Sequence, residues 1–150
     1  MRKITPAINI GVSDLKYRGR RGNMTTPPEK SLYERMGGYD AIAAATDELL
    51  RRLTSDPDIG VYWRGHSTDS MKRDRQLIVD FLCEAIGGPV IYRGRDMKTS
   101  HEGLRITERD WEIFVGHTVA TLEHLGVPEQ EKQEFLECAG SLKGDIVEAP

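Results

Sequence analysis

The chain has only two cysteines in 150 residues, Cys83 and Cys138. They share no close spacing, and each falls within a helical apolar pattern, so the pair argues against a disulfide or a thiolate metal site and for buried free thiols. No Cys-x-x-Cys-His is present, so covalent attachment of a c-type haem is not expected. No apolar run approaches the roughly 20 residues needed to cross a bilayer, and Ile8–Val12 is too short and too interrupted for a signal-peptide core. A cytoplasmic protein is the expectation. An excess of basic charge is also missing, since 21 Lys and Arg face 24 Asp and Glu for a net charge of −3. The whole molecule therefore has no electrostatic footprint for nucleic acid or an anionic membrane. Alternating strand patterns, hairpin dipeptides and internal repeats are all absent, which leaves an all-α class.

What is present is enough chain for one domain with a continuous core and, in principle, one flat cofactor inside it. Charge is uneven along it. Residues 1–30 carry seven basic side chains against two acidic ones, giving +5 and leaving about −8 for the remainder. This leader lacks helical periodicity and contains Pro6, Gly11, Gly19, Gly22, Pro27 and Pro28. It is expected to be a mobile, solvated arm, with the Arg18–Arg21 cluster as a possible docking element. Residues 31–150 form the expected domain.

Ser31-Leu32-Tyr33-Glu34 has the spacing of a capping box, so a short helix starts there and ends at Gly37-Gly38. A second helix is expected from about Asp40 to Thr54 on the stripe Ile42, Ala45 or Thr46, Leu49, Leu50 and Leu53, stopped by Asp56-Pro57. Val61, Tyr62 and Trp63 make an aromatic corner. Ser67, Thr68 or Asp69 caps a third helix that runs to about Ile86, with Met71, Ile78, Phe81, Leu82 and Ala85 inward. Gly87-Gly88-Pro89 ends it. Residues 89–105 hold at most a turn or two of helix. Thr107-Glu108-Arg109-Asp110 opens a long helix with Trp111, Phe114, Val115, Thr118, Val119, Leu122 and Leu125 on its apolar face, closed by Gly126. Pro128 suits the first turn of a last helix reaching to about residue 148, with Phe135, Leu136, Ala139, Leu142, Ile146 and Val147 inward.

His101 falls in the glycine-punctuated stretch between the long helices. A neutral imidazole there is well placed to ligate a metal or a haem iron, although a lone histidine is more often an ordinary hydrogen-bonded residue. Its surroundings change that weighting. The segments Ser31-Leu32-Tyr33-Glu34-Arg35-Met36-Gly37-Gly38, Ala85-Ile86-Gly87-Gly88-Pro89, Tyr92-Arg93-Gly94-Arg95-Asp96-Met97 and His101-Glu102-Gly103-Leu104 stand in an order that resembles the group I truncated haemoglobins, over roughly residues 31–148.

The resemblance implies a two-over-two helical sandwich with an extended proximal loop, in which haem b replaces side chains between two helix pairs. It makes His101 the proximal ligand through Nε2, with Nδ1–H donating to a carbonyl or water. It also places Leu50, Trp63, Ile78, Leu82, Tyr92 and Lys98 around the haem, with Lys98, Arg93 or Arg95 as candidate propionate partners against simple solvation of each. The distal side departs from the family pattern. Leu77 and Ile78 stand where many relatives carry histidine or glutamine, and Leu50 where a tyrosine is frequent. The stretch between Trp63 and Met71 is longer by about three residues on that register and brings His66, a candidate sixth ligand or hydrogen-bond donor. Asp74, Arg75 and Gln76 are the polar alternatives.

The function implied is reversible binding of O₂, NO or CO, in ligand binding, oxygen transport or sensing, by a monomer or weak homo-oligomer. The other reading is a haem enzyme, an NO dioxygenase or a peroxidase-like one, served by an external reductase. No residue is assigned a catalytic role. His117 is expected to be structural and His124 exposed.

Overall fold

The computed structural model describes residues 29–150, so the expected arm lies outside the described residues except for Glu29 and Lys30. Ser31 opens the first helix, α1 (Leu32–Met36). Its hydroxyl accepts the Glu34 N–H at 3.1 Å, and the Glu34 carboxylate accepts the Ser31 N–H at 3.3 Å. Gly37, at φ 113°, ends the helix in a conformation that suits glycine.

Helix α2 (Tyr39–Ser55) buries Ile42, Ala43, Thr46, Leu49, Leu50 and Leu53. Thr46 is tolerated at full burial because its hydroxyl donates to the Ile42 carbonyl at 2.9 Å. Asp56 ends α2 and then accepts the N–H groups of Asp58 and Ile59 at 2.8 and 3.1 Å, which turns the chain into a single 3₁₀ turn, Gly60–Trp63.

Helix α3 (Thr68–Ala85) is capped by Ser67, whose hydroxyl accepts the Ser70 N–H at 3.1 Å. Its burial differs from the expected stripe. Val79, Phe81, Cys83 and Ala85 are buried, while Met71, Ile78 and Leu82 are only partly so. The reason is that α3 packs on two sides. Val79 and Cys83 join α1, α2, α5 and α6 in one apolar cluster, whereas Phe81 and Ala85 join Leu142 in another. The turn of α3 bearing Leu77 and Ile78 is left with neither neighbour.

After Gly87, at φ 95°, an irregular segment leads to a one-turn helix, α4 (Met97–His101), capped by Asp96. His101 is thus the last residue of this short helix, within the turn or two expected of residues 89–105. Helix α5 (Glu108–His124) begins with the Thr107/Asp110 capping box. It buries Trp111, Thr118, Thr121 and Leu122, and it ends before Leu125, which is 41 % exposed, contrary to the stripe drawn through it. The left-handed Gly126 turns the chain away there.

The last expected helix is two. Pro128 is the N-cap of α6 (Glu129–Gly140), one position outside the first turn, and α7 (Lys143–Ile146) follows as a separate turn. Gly140 and Gly144 favour helix weakly, and the Ser141 hydroxyl donates to the Cys138 carbonyl at 2.6 Å. Leu142 then turns inward onto Phe81 and Ala85. The architecture is a two-over-two sandwich: α2 packs on α3 and on α5, α5 packs on α6, and α1 bridges α2 and α6. Among the described residues there is no strand, only an isolated parallel bridge between Thr107 and Ala149. Cys83 and Cys138 are free, and burial pushes both thiols up to about 11, so they stay protonated and inert at neutral pH.

Candidate haem site

His101 is brought into position by a helix too short to stand alone, held at its start by Asp96, whose carboxylate accepts the Thr99 N–H at 2.7 Å. The His101 Nδ1 lies 2.8 Å from the Met97 carbonyl oxygen and 3.0 Å from the Ser100 hydroxyl. A carbonyl only accepts, so the neutral ring carries its proton on Nδ1 and leaves the lone pair on Nε2, which has no hydrogen-bond partner among the described residues. A half-buried imidazole with its other nitrogen fixed by a backbone carbonyl is a preset ligand for a metal centre. Among the described residues no group of three or more His, Cys, Asp or Glu could hold a bare metal ion. What His101 offers is a single free ring nitrogen, which suits a haem iron better than a bare zinc ion.

The apolar surroundings fit the same group. Leu50, Leu77, Ile78, Ile91 and Leu104 join none of the three apolar clusters. Leu50 is buried in α2, but Leu77, Ile91 and Leu104 are 41, 66 and 43 % exposed. They fall on α3 and on the segment either side of α4, a distribution that a flat apolar cofactor would cover.

The other expected site residues separate into groups. Leu82, Tyr92 and Met97 pack together beside Phe81, with the Tyr92 ring edge-on to Phe81 at 5.2 Å between centroids. The Tyr92 phenol donates to the Arg95 carbonyl at 2.6 Å, and its N–H donates to the Glu84 carboxylate at 2.9 Å. Burial raises the Tyr92 phenol above its usual range, so it stays a donor. Trp63 is in a different cluster, half-buried against Leu49, Leu53 and Ile59 alongside Tyr62, Ile113 and Phe114. Lys98 is exposed on α4.

His66 stands apart, exposed ahead of α3, with Nδ1 3.2 Å from the Asp74 carboxylate. Arg75 makes two bonds to Asp47, at 2.7 and 3.0 Å, and Gln76 donates to the Tyr39 hydroxyl and to Asp80. His117 is structural, as expected. Its Nε2 lies 2.8 Å from the Asp56 carboxylate and ties α5 to the end of α2. Met97, which orients the His101 ring, escaped the sequence reading, yet an acceptor one helical turn before a candidate ligand is a signal that spacing alone supplies.

The two-over-two helical arrangement, with a histidine whose Nε2 is free and apolar residues left outside the core clusters, is that expected of a haem-binding globin of the shortened kind. Residues 31–148 match the family model of bacterial-like globins, and the chain belongs to that family, among the group 1 truncated haemoglobins. It is 32 % identical over 133 residues to a group 1 truncated haemoglobin of Chlamydomonas moewusii, covering 84 % of this chain and 76 % of that one. The GlbN group 1 truncated haemoglobin of Mycolicibacterium paratuberculosis is 29 % identical over 116 residues, covering 77 % of this chain and 83 % of that one.

Of solved structures, truncated haemoglobin from Tetrahymena pyriformis in the Fe(III) form superposes with a TM-score of 0.73 at 24 % identity, over 79 % of this chain and 98 % of that one. A 2/2 haemoglobin from Synechococcus, in the cyanomet state with covalently attached haem, gives a TM-score of 0.71 at 25 % identity over 79 and 98 %. The cofactor is haem b, and binding of diatomic gas comes with the family. No helix among the described residues is long and apolar enough to cross a membrane.

Proposed function

We propose that His101 is the haem-iron ligand of this chain and that the protein binds O₂, NO or CO reversibly, as a binding protein. The observation that supports this most directly is the His101 Nδ1 bond to the Met97 carbonyl at 2.8 Å, which leaves Nε2 as a free base. Haem, when bound, would supply an iron that an imidazole can hold and a diatomic gas can bind. Leu50, Ile78 and Leu82 would offer the haem apolar lining, and Trp63 would pack at the corner. Lys98 is available to a propionate.

The polar side chains of α3 nearest the expected distal position are engaged elsewhere: Asp74 with His66, Arg75 with Asp47, and Gln76 with Tyr39 and Asp80. Leu77 and Ile78 have nothing to donate. A distal hydrogen bond to a charged acceptor is worth roughly 1.5–3 kcal/mol, about one to two decades in affinity. Without it O₂ leaves quickly, while CO and NO, which depend on it less, are retained. This profile favours binding over NO dioxygenation or peroxidase-like turnover.

The test is the visible spectrum of the purified, haem-reconstituted protein, ferric and dithionite-reduced, for the native chain and His101→Ala. A one-to-one Soret band that His101→Ala loses while keeping its helical circular dichroism is the expected result. No stoichiometric uptake, or an unchanged ferrous spectrum in His101→Ala, overturns the assignment. His66→Ala is expected to leave both spectra unchanged, and conversion of a low-spin to a high-spin spectrum would make His66 the sixth ligand.

A further inference from the structure

The backbone just after His101 takes a conformation that side-chain-bearing residues avoid. Arg105 has φ 59°, the one non-glycine residue with positive φ among the described residues, and Gly103 has φ 87°. A left-handed arginine is costly, so the turn needs an external hold. The C-terminal tail supplies one. Glu148 Oε2 accepts the Gly103 N–H at 2.8 Å, and Oε1 accepts the Arg105 N–H at 2.6 Å. Around them the Glu148 and Ala149 N–H groups both donate to the Ile106 carbonyl, at 2.8 and 3.2 Å, and the Glu108 N–H donates to the Ala149 carbonyl at 3.2 Å. Helix α7, which leads into this tail, packs against α4.

We propose that Glu148 is the positioning residue for His101: its carboxylate clamps the turn at 103–105 and thereby fixes the end of α4 on which the imidazole stands. The inference rests on His101 being the iron ligand. A one-turn helix has almost no stability of its own, so its place is set from its ends. Asp96 holds the start of α4. At its finish the Leu104 N–H donates to the His101 carbonyl at 3.1 Å, inside the segment that Glu148 grips. The ring itself is bonded to Met97 on the same helix, so wherever α4 is placed, the imidazole goes with it. An ionised carboxylate offers acceptors to both N–H groups, whereas an amide at the same place offers one oxygen and turns an NH₂ against the other N–H.

The experiment compares haem-loaded native protein with His101→Ala, Glu148→Gln, Arg105→Gly and the Glu148→Gln/Arg105→Gly double variant. It reads the iron–imidazole stretching band in ferrous resonance Raman spectra, haem loss to excess apomyoglobin, and amide exchange at Gly103 and Arg105. In Glu148→Gln the band is expected to shift or broaden, haem loss to rise roughly tenfold, as for loss of an outer-shell partner, and both amides to exchange faster. The double variant should regain much of the native band, because glycine adopts φ 59° freely. Faster exchange with an unchanged band and unchanged haem loss would overturn the proposal while leaving His101 as ligand. A native band that persists in His101→Ala would instead remove the ligand assignment and this inference with it.

Discussion

Single residues were legible where their chemistry is local. His101 stood out because glycine landmarks on both sides fixed its place in the chain, and its Nδ1 proved to face a carbonyl. Arg105 was not legible, since nothing in its neighbours announces a left-handed arginine; the cause lies 43 residues later in Glu148. Gly88 shows a similar long-range constraint. A β-carbon there would lie 2.6–2.8 Å from the Tyr33 ring, which is packed into the first cluster and cannot swing away freely. Gly88→Ala is expected to cost about 1–3 kcal/mol by overpacking, read as a lower midpoint in urea denaturation at unchanged slope.

Asp56 sets a second prediction. Its carboxyl is held below the ordinary 3.8 first by the His117 hydrogen bond and then by the Ile59 and Asp58 N–H groups. A depressed carboxyl contributes stability that is present above its unfolded value and is lost as pH falls through the folded value. Asp56→Asn should therefore flatten the acid limb of the stability–pH curve below about pH 4 and leave its shape near neutrality unchanged.

At the scale of elements, helix starts were easier to read than helix ends and faces. Ser31 and Thr107 cap as their spacing required, because a capping box needs only residues three apart, and of the alternatives Ser67, Thr68 and Asp69 it is Ser67 that caps α3. Faces depend on which neighbours a helix meets. Val79 was overlooked on α3 because a single-stripe reading assumes burial on one side, and this helix is buried on two, whereas Cys83 is buried as a free thiol as its apolar setting implied. The break between α6 and α7 was missed for a related reason, since Leu142 keeps helical spacing yet leaves the helix to fill the gap beside Phe81. Ser31→Ala removes one acceptor of the first capping box and should lower stability by about 1 kcal/mol, measured by equilibrium urea denaturation. Retention of haem should be almost unaffected, because the main packing of α1 is against α2 and α6.

For the whole molecule, three apolar clusters account for most of the core and still leave Leu77, Ile91 and Leu104 facing solvent. That imbalance is the large-scale signature of a domain whose core is completed by a cofactor, so removing haem should lower stability more than removing any one surface contact. The family match begins at residue 31, where the Ser31 capping box starts the fold, and the three clusters close among residues 32–146. Seven basic side chains against two acids in residues 1–30 give this leader a charge opposite to that of the domain. Attraction between such groups in water is weak and screened by salt. Deletion of residues 2–28 is therefore expected to leave the Soret intensity, the ferrous spectrum and the haem-loss rate at their native values, and to shift the isoelectric point downward. A fall in haem retention, or loss of the cooperative unfolding transition, would mean that the leader is part of the folded unit and that the domain boundary at residue 31 is wrong.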